Sequence, residues 1–216
     1  MSESGANGSP LYEAILTGDA DGSVKLTQAA LADGVDPNDL INQDMIPAMD
    51  EAGRRFEKRE FYVPELLIAA RAMKGALALI RPLLSERGVE PVGRVVIGTV
   101  KGDLHDIGKG LVGSMLEGGG FEVFDLGVDV AAEAFISKAV EQKADVVAVS
   151  ALLTTTMTAM KDVVSALRDS DISQTCKIIV GGAPVTQQFA DSIGADGYSE
   201  NASAAVTLVR SIVTPA

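Results

Sequence analysis

Apolar positions follow two different periods along this chain. Over residues 11–87 they recur every three or four residues, and nothing alternates as a strand does. The spacing predicts a helix over 19–33, stopped by Gly34. Asp36-Pro37 reads as an N-cap followed by proline at the first helical position. Leu40, Ile41, Met45, Met49 and Phe56 come next at helical intervals, and Pro47 should kink or split that run. Tyr62-Val63-Pro64-Glu65 opens a further helix with one apolar stripe: Leu66, Leu67, Ala70, Met73, Leu77 and Ile80. The expectation is a small helical bundle over 11–88, preceded by a polar, disordered N-terminus over 1–10.

From residue 89 the pattern changes. Short β-branched runs, 94-RVVIGTV-100, 121-FEVFDLG-127, 145-DVVAVSA-151, 176-CKIIVGG-182 and 195-ADGYS-199, alternate with helical stretches near 106–118, 131–142, 156–169, 185–193 and 201–212. Strands apolar on both faces suit a parallel sheet covered by helices on each side. Five strand–helix repeats predict a doubly wound α/β domain over 89–216, with a five-stranded parallel sheet. Right-handed crossovers make the flavodoxin-like order 2-1-3-4-5 the natural choice among Rossmann-like arrangements. Ligands on such sheets bind beyond the carboxyl ends of the strands, which selects the loops 101–108, 126–130, 150–156, 181–185 and 199–203.

Composition narrows the chemistry. The 216 residues carry a formal net charge of −12, no tryptophan and 4% aromatics. That argues against a nucleic-acid partner, which calls for a clustered basic face or stacking platforms. No apolar run approaches the ~20 residues that span a bilayer, and the N-terminus lacks an apolar signal region. No membrane association and a cytoplasmic location are therefore expected. Cys176 is the single cysteine, so there is neither a disulfide framework nor a thiolate cage, and it reads as a small buried hydrophobe.

The one histidine, His105, lies in the first ligand-facing loop, 99-TVKGDLHDIGKGLVGSM-115. The segment also holds a G-x-G-x-x-G at Gly108, Gly110 and Gly113, and Asp125 ends the second strand where a ribose hydroxyl could be bound. A dinucleotide fingerprint needs its first glycine directly after the strand, and here it comes well into the next helix. Close packing of that helix on the sheet is the plainer reading of Gly110 and Gly113. Asp103 precedes His105 by two residues, so its carboxylate can accept the proton of one ring nitrogen and leave the other as a lone-pair donor. A lone histidine is as readily a surface or satisfied loop residue. As a metal ligand, it fits one axial position on a metal already held by a macrocycle.

The segment Asp103-Leu104-His105-Asp106-Ile107-Gly108 resembles the Asp-x-His-x-x-Gly motif of cobalamin-binding proteins. The second block of that family is matched by Ser150-Ala151-Leu152-Leu153-Thr154, and its third by Gly181-Gly182. The stretch 53-GRRFEKREFYVPELLIAARAMKGAL-77 is similar to the helical cap that precedes this domain in cobalamin-dependent methionine synthase and in the corrinoid proteins of methanol and methylamine methyltransferase systems. The likeness spans about residues 10–212 and is strongest to the free-standing corrinoid methyl carriers.

The resemblance implies a cobalamin or related corrinoid bound with its own base displaced. His105 would be the cobalt ligand, Asp103 its hydrogen-bond partner and Thr156 the third member of the relay. Thr156 could equally serve as a helix N-cap. Gly102, Leu104, Asp106, Ile107, Gly108, Ser150, Leu152, Thr154, Gly181, Gly182 and Ala202 would bind the cofactor from the α/β domain. Gly113 adds permissive backbone beside a bulky ligand. Phe56, Val63 and Leu66 would bind it from the cap, with Asn42 a further cap match, and 85-SERGVEPVG-93 would form a hinge.

The implied function is to carry a methyl group on cobalt between a substrate-specific methyltransferase and a second methyltransferase. The chain would be a subunit rather than a complete enzyme, and a reductive activase would be a third partner. The alternatives are a cobalamin-binding mutase subunit or a cobalamin-responsive sensor.

Overall fold

The computed structural model describes residues 8–213. Two compact units divide at Glu90–Pro91, two residues beyond the boundary expected from sequence, with the segment Glu117–Gly120 grouping with the first.

The first unit is helical: α1 (Pro10–Leu16), α2 (Ala20–Ala32), α3 (Pro37–Asp39), a π-helical turn (Leu40–Met45), α4 (Ile46–Glu57) and α5 (Val63–Glu86). Ser9 Oγ accepts the Tyr12 N–H at 3.1 Å and caps α1. The last residues of the segment expected to be disordered are therefore ordered; residues 1–7 lie outside the described residues. Asp19 and Asp36 cap α2 and α3 by accepting the N–H groups of Gly22 and Asn38. Pro47 splits its run as expected. It has no N–H to donate, and the chain widens before it, with Ile46 N–H donating to Ile41 O in a five-residue step. Glu65 Oε2 accepts the Tyr62 N–H at 2.9 Å and fixes the start of α5. Leu66, Met73 and Ile80 are fully buried, whereas Leu67 is 42% exposed. Leu67 follows Leu66 by a turn of about 100° around the helix, which takes it off the buried stripe.

The second unit alternates β1 (Arg94–Thr99), α6 (Ile107–Gly118), β2 (Glu122–Asp125), α7 (Ala132–Gln142), β3 (Val146–Ser150), α8 (Met157–Arg168), β4 (Lys177–Gly181), α9 (Gln187–Ile193), β5 (Gly197–Ser199) and α10 (Ala202–Val213). All pairings are parallel, in the order β2-β1-β3-β4-β5. The central strands are apolar on both faces: Val95, Val96, Ile97, Val146, Val147, Ile178 and Ile179 are almost inaccessible to water. Phe135, Met160 and Leu167 join Val96, Val147 and Val149 in one cluster. Each such side chain contributes roughly 1.5–3 kcal/mol by leaving water. The edge strand β2 is only half-buried, as its Glu122 and Asp125 suggest.

The parallel register sets the ends of four strands in one row, Thr99–Ser150–Gly181–Ser199. The loops that follow them thus emerge together at the carboxyl end of the sheet. Cys176 is buried, and burial first, then the carboxylates of Asp145 and Asp196, push its thiol up to about 12, so it is inert. No helix among the described residues is long and apolar enough to cross a membrane.

Candidate cofactor site at the carboxyl ends of the strands

The loop between β1 and α6 turns sharply at once. Gly102 adopts φ +82°, a left-handed conformation open to glycine, and Asp103 N–H returns to the carbonyl of Val100 at 3.1 Å. The turn drives the Asp103 side chain inward until it is fully buried, although both its neighbours are exposed.

Four donors converge on that carboxylate. Oδ1 lies 3.1 Å from the His105 N–H and 2.7 Å from His105 Nδ1. Oδ2 accepts the Leu152 N–H at 2.7 Å and lies 2.8 Å from the Thr156 hydroxyl. Burial alone would raise the Asp103 carboxyl; the bonds from Leu152, His105 and Thr156 outweigh it and hold the group well below the usual carboxylate range. Asp103 is thus an anion whose acceptor sites are all used. Facing an ionised carboxylate, His105 carries its proton on Nδ1 and its lone pair on Nε2. The imidazole is half exposed, and Nε2 has no hydrogen-bond partner among the described residues. Thr99, fully buried at the end of β1, donates its hydroxyl to the carbonyl of His105 at 2.9 Å.

Thr156 stands at the N-cap position of α8, yet its side chain caps no helical N–H. Its oxygen lies 2.8 Å from Asp103 and 2.9 Å from the carbonyl of Leu153. The single hydroxyl proton goes to the anion, because a charge-assisted bond is the stronger. The Thr156 hydroxyl thus serves the Asp103 carboxylate rather than the start of the helix.

The other candidates of this unit lie on the neighbouring loops. Ser150 is half-buried at the end of β3, Leu152 and Thr154 are exposed just beyond it, and Gly181 closes β4. Gly182 has φ +129°, and a Cβ there would stand 1.9 Å from the carbonyl oxygen of Ala151, so this glycine is demanded by the fold itself. Ala202 is buried at the start of α10, where Asn201 Oδ1 accepts the Ala204 N–H. Around His105 four large apolar side chains stay in water: Leu104 at 73% exposure, Ile107 at 80%, and Leu152 and Leu153 at about half those values. Such a group of solvated apolar side chains marks a binding surface.

Phe56, Val63 and Leu66 belong to the helical unit and are not part of this row. Phe56 is half-buried, Val63 is exposed, and Leu66 is fully buried; Asn42 is exposed on the π-helical turn.

The glycine fingerprint comes apart in the structure. A side chain at Gly108 or Gly110 would meet nothing within 4 Å, so close packing does not explain Gly110; Gly113 alone approaches the sheet, its Cβ position 3.8 Å from Val123. Asp125 is already bound. The buried ammonium of Lys109 contacts both its oxygens, Oδ1 at 2.6 Å, and the Gly127 N–H donates to Oδ1 at 2.8 Å. No ribose hydroxyl is needed to satisfy it. Lys109, Thr99 and Asp129 do not stand out in the sequence. The signal available for Lys109 was a lysine between the glycines of a helix, but its partner became visible only with the β1–β2 register.

Among the described residues no group of three or more His, Cys, Asp or Glu side chains could hold a metal ion. One exposed imidazole nitrogen, oriented by a buried carboxylate and ringed by apolar side chains, suits a metal that arrives in its own macrocycle, and the donor set fits a corrinoid.

Fold and site together define a corrinoid-binding protein. B12 binding domain models match residues 93–207 and 9–81. The chain belongs to the B12-binding family of corrinoid proteins, and its cofactor is a cobalamin-type corrinoid. It is 39% identical over 206 residues to a corrinoid protein of Desulfitobacterium hafniense, covering 94% of this chain and 95% of that protein. It is 42% identical over 203 residues to trimethylamine corrinoid protein 1 of Methanosarcina acetivorans, covering 93% and 94%. Among solved structures, a methanol:cobalamin methyltransferase complex from Methanosarcina barkeri matches with a TM-score of 0.84 at 32% identity, covering 96% of this chain and 79% of that one.

Proposed function

We propose that this protein is the methyl-carrying corrinoid subunit of a methyltransferase system, with His105 as the lower axial ligand of cobalt and the cofactor's own base displaced. The observation that carries the reading is the His105 imidazole at the carboxyl end of the sheet, with Nδ1 held at 2.7 Å by a buried carboxylate and Nε2 without a hydrogen-bond partner among the described residues. When bound, the cofactor supplies a cobalt that accepts and releases a methyl group.

What the chain supplies is orientation and proton control. Asp103 fixes the tautomer and the ring position, which raises the basicity of Nε2 as a donor. The Leu152 N–H and Thr156 hydroxyl keep Asp103 ionised and prevent it from rotating away. A proton taken up by the His105–Asp103 pair competes with metal ligation, as for any protein–metal bond. The pair thus couples the strength of ligation to proton uptake, with Thr156 as its third member. Leu104, Ile107 and Leu152 would offer apolar surface to the ring, and Ser150, Thr154, Gly181, Gly182 and Ala202 would hold the displaced nucleotide tail. Gly102, Asp106 and Gly108 complete the loop contacts. The contributions of Phe56, Val63 and Leu66 belong to the same proposal and rest on the resemblance alone.

The partners under this reading are a substrate-specific methyltransferase, a second methyltransferase that removes the methyl group, and a reductive activase. The relatives named for trimethylamine and methanol systems support the first of these. The test is to reconstitute the protein with cobalamin, reduce it, and supply methyltransferases of methylamine and methanol systems together with methylated amines or methanol. Stoichiometric methylation of the bound corrinoid is expected. Tight binding of adenosylcobalamin with no methyl transfer from any donor would contradict the proposal.

A further inference from the structure

The His105 loop is poorly anchored by its own side chains. Lys101, Gly102, Leu104, His105 and Asp106 are all exposed, and Asp103 is the one buried residue among them. Something outside the loop must hold the backbone from which Asp103 and His105 project.

Thr99 holds the His105 carbonyl, and the segment after β2 holds the turn before it. That segment continues alongside β1 beyond the regular strand: Thr99 N–H donates to the carbonyl of Gly127 at 3.0 Å, and Val130 N–H donates to the carbonyl of Thr99 at 3.0 Å. Between them, Asp129 grips the turn twice. Its Oδ1 accepts the Gly102 N–H at 2.7 Å, and its own N–H donates to the carbonyl of Asp103 at 3.0 Å. Both bonds land on the two residues that steer the Asp103 carboxylate inward.

Asp129 reaches this position at a cost. Its φ is +55°, a left-handed conformation that glycine adopts freely and that asparagine and aspartate tolerate best among other residues. A glycine would relieve the backbone there and lose the grip on Gly102. The carboxylate at this strained position is accounted for by the bond it makes.

We infer that Asp129 is a positioning residue for the His105–Asp103–Thr156 relay, acting through the Gly102–Asp103 backbone; the inference rests on the assignment of His105 as the cobalt ligand. It does not touch the imidazole and takes no proton in this role. Its effect is to hold the turn in the one register where Asp103 meets His105, Leu152 and Thr156 at once.

Three substitutions separate this role from general stability. Asp129→Gly suits the backbone angle but removes the acceptor. Asp129→Asn keeps an acceptor oxygen and tolerates the angle. Asp129→Ala loses both. In the cofactor-free protein, the ¹⁵N shifts of the single imidazole report whether Nδ1 or Nε2 carries the proton. In the cobalamin-loaded protein, titration calorimetry and the absorption spectrum report affinity and the fraction with histidine on cobalt. Asp129→Gly is expected to mix the tautomers, lower the histidine-ligated fraction and weaken cobalamin binding roughly tenfold, the scale of losing an outer support of a metal ligand. Asp129→Asn should restore all three towards wild type, although its melting temperature need not exceed that of the glycine variant.

Asp129→Gly protein with a wild-type tautomer and a wild-type histidine-ligated fraction would overturn the inference alone. So would an asparagine variant as impaired as the glycine one. Wild-type protein that binds cobalamin with no histidine on cobalt would overturn the site assignment itself, and this inference with it.

Discussion

Replacing Asp103 with asparagine keeps the size and shape of the side chain but puts an NH₂ group in place of one oxygen. Both oxygens now accept a backbone N–H that cannot turn away: His105 N–H at Oδ1 (3.1 Å) and Leu152 N–H at Oδ2 (2.7 Å). Whichever way the amide is placed, its NH₂ group faces one of these donors. One orientation sets it against Leu152, where the Thr156 hydroxyl can rotate and accept but the backbone cannot. The other sets it against His105, where the imidazole can accept only by moving its proton from Nδ1 to Nε2, and so gives up the lone pair that faces solvent. A buried donor left unpaired costs about 1–3 kcal/mol, and the bonds that remain lose their ionic partner, at roughly 1 kcal/mol more. The total, about 3 kcal/mol, corresponds to a fall of about 10 °C in melting temperature for a chain of this size. The site therefore calls for an acid, and its amide is not a conservative change. The charge also gives the cost a pH signature. Asp103 is held below its unfolded value of about 3.9, so its contribution is fully present above about pH 5 and is lost as the solution is acidified through that value towards the folded one. Scanning calorimetry of the cofactor-free proteins between pH 3 and 8 should show a gap at pH 7 that narrows below about pH 4. A variant within about 1 °C of wild type at pH 7, with Nδ1 still protonated by NMR, would refute the reasoning.

Other outcomes follow from single contacts. Thr156→Val should destabilise the cofactor-free protein by about 1.5–3 kcal/mol while Thr156→Ser stays near wild type in chemical unfolding, since only the hydroxyl bonds the buried anion. The Lys109–Asp125 pair is lopsided, with side-chain exposures of 3% and 45%. Lys109→Met should change the melting temperature little, whereas Asp125→Ala strands a buried ammonium and should cost about 3 kcal/mol; equal costs would contradict that asymmetry. Gly182→Ala, with a Cβ 1.9 Å from a carbonyl oxygen at φ +129°, should cost more than about 4 kcal/mol and yield little folded protein on expression.

The fold was largely legible from periodicity. The buried strands announce themselves by β-branched runs without alternation, and the order 2-1-3-4-5 follows from their number and handedness. Helix starts were legible where a side chain does the capping, as at Asp19 and Asp36. The hydrogen bond between Asp103 and His105 was legible because the two are two residues apart. The parts that stayed hidden depend on register or backbone angle. Lys109 meets Asp125 only because β1 and β2 pair as they do, Gly110 was assigned a packing role in a place where the structure is open, and Leu67 was put on a stripe it misses by one step. Asp129 could not be found from its type alone, because its bonds to Gly102 and Asp103 come from a left-handed angle beside a neighbouring strand.

The central claim is that His105 Nε2 is the protein's donor to cobalt. The chain contains one histidine, so labelling that residue type with ¹⁵N labels one side chain. Electron paramagnetic resonance of the reconstituted protein in its Co(II) form tests the claim most directly. The account predicts hyperfine lines split into triplets by ¹⁴N, which collapse to doublets on ¹⁵N-histidine labelling; in His105→Ala any remaining splitting no longer responds to the label. Triplets that persist unchanged when histidine is labelled with ¹⁵N would place another nitrogen on the metal and contradict the account.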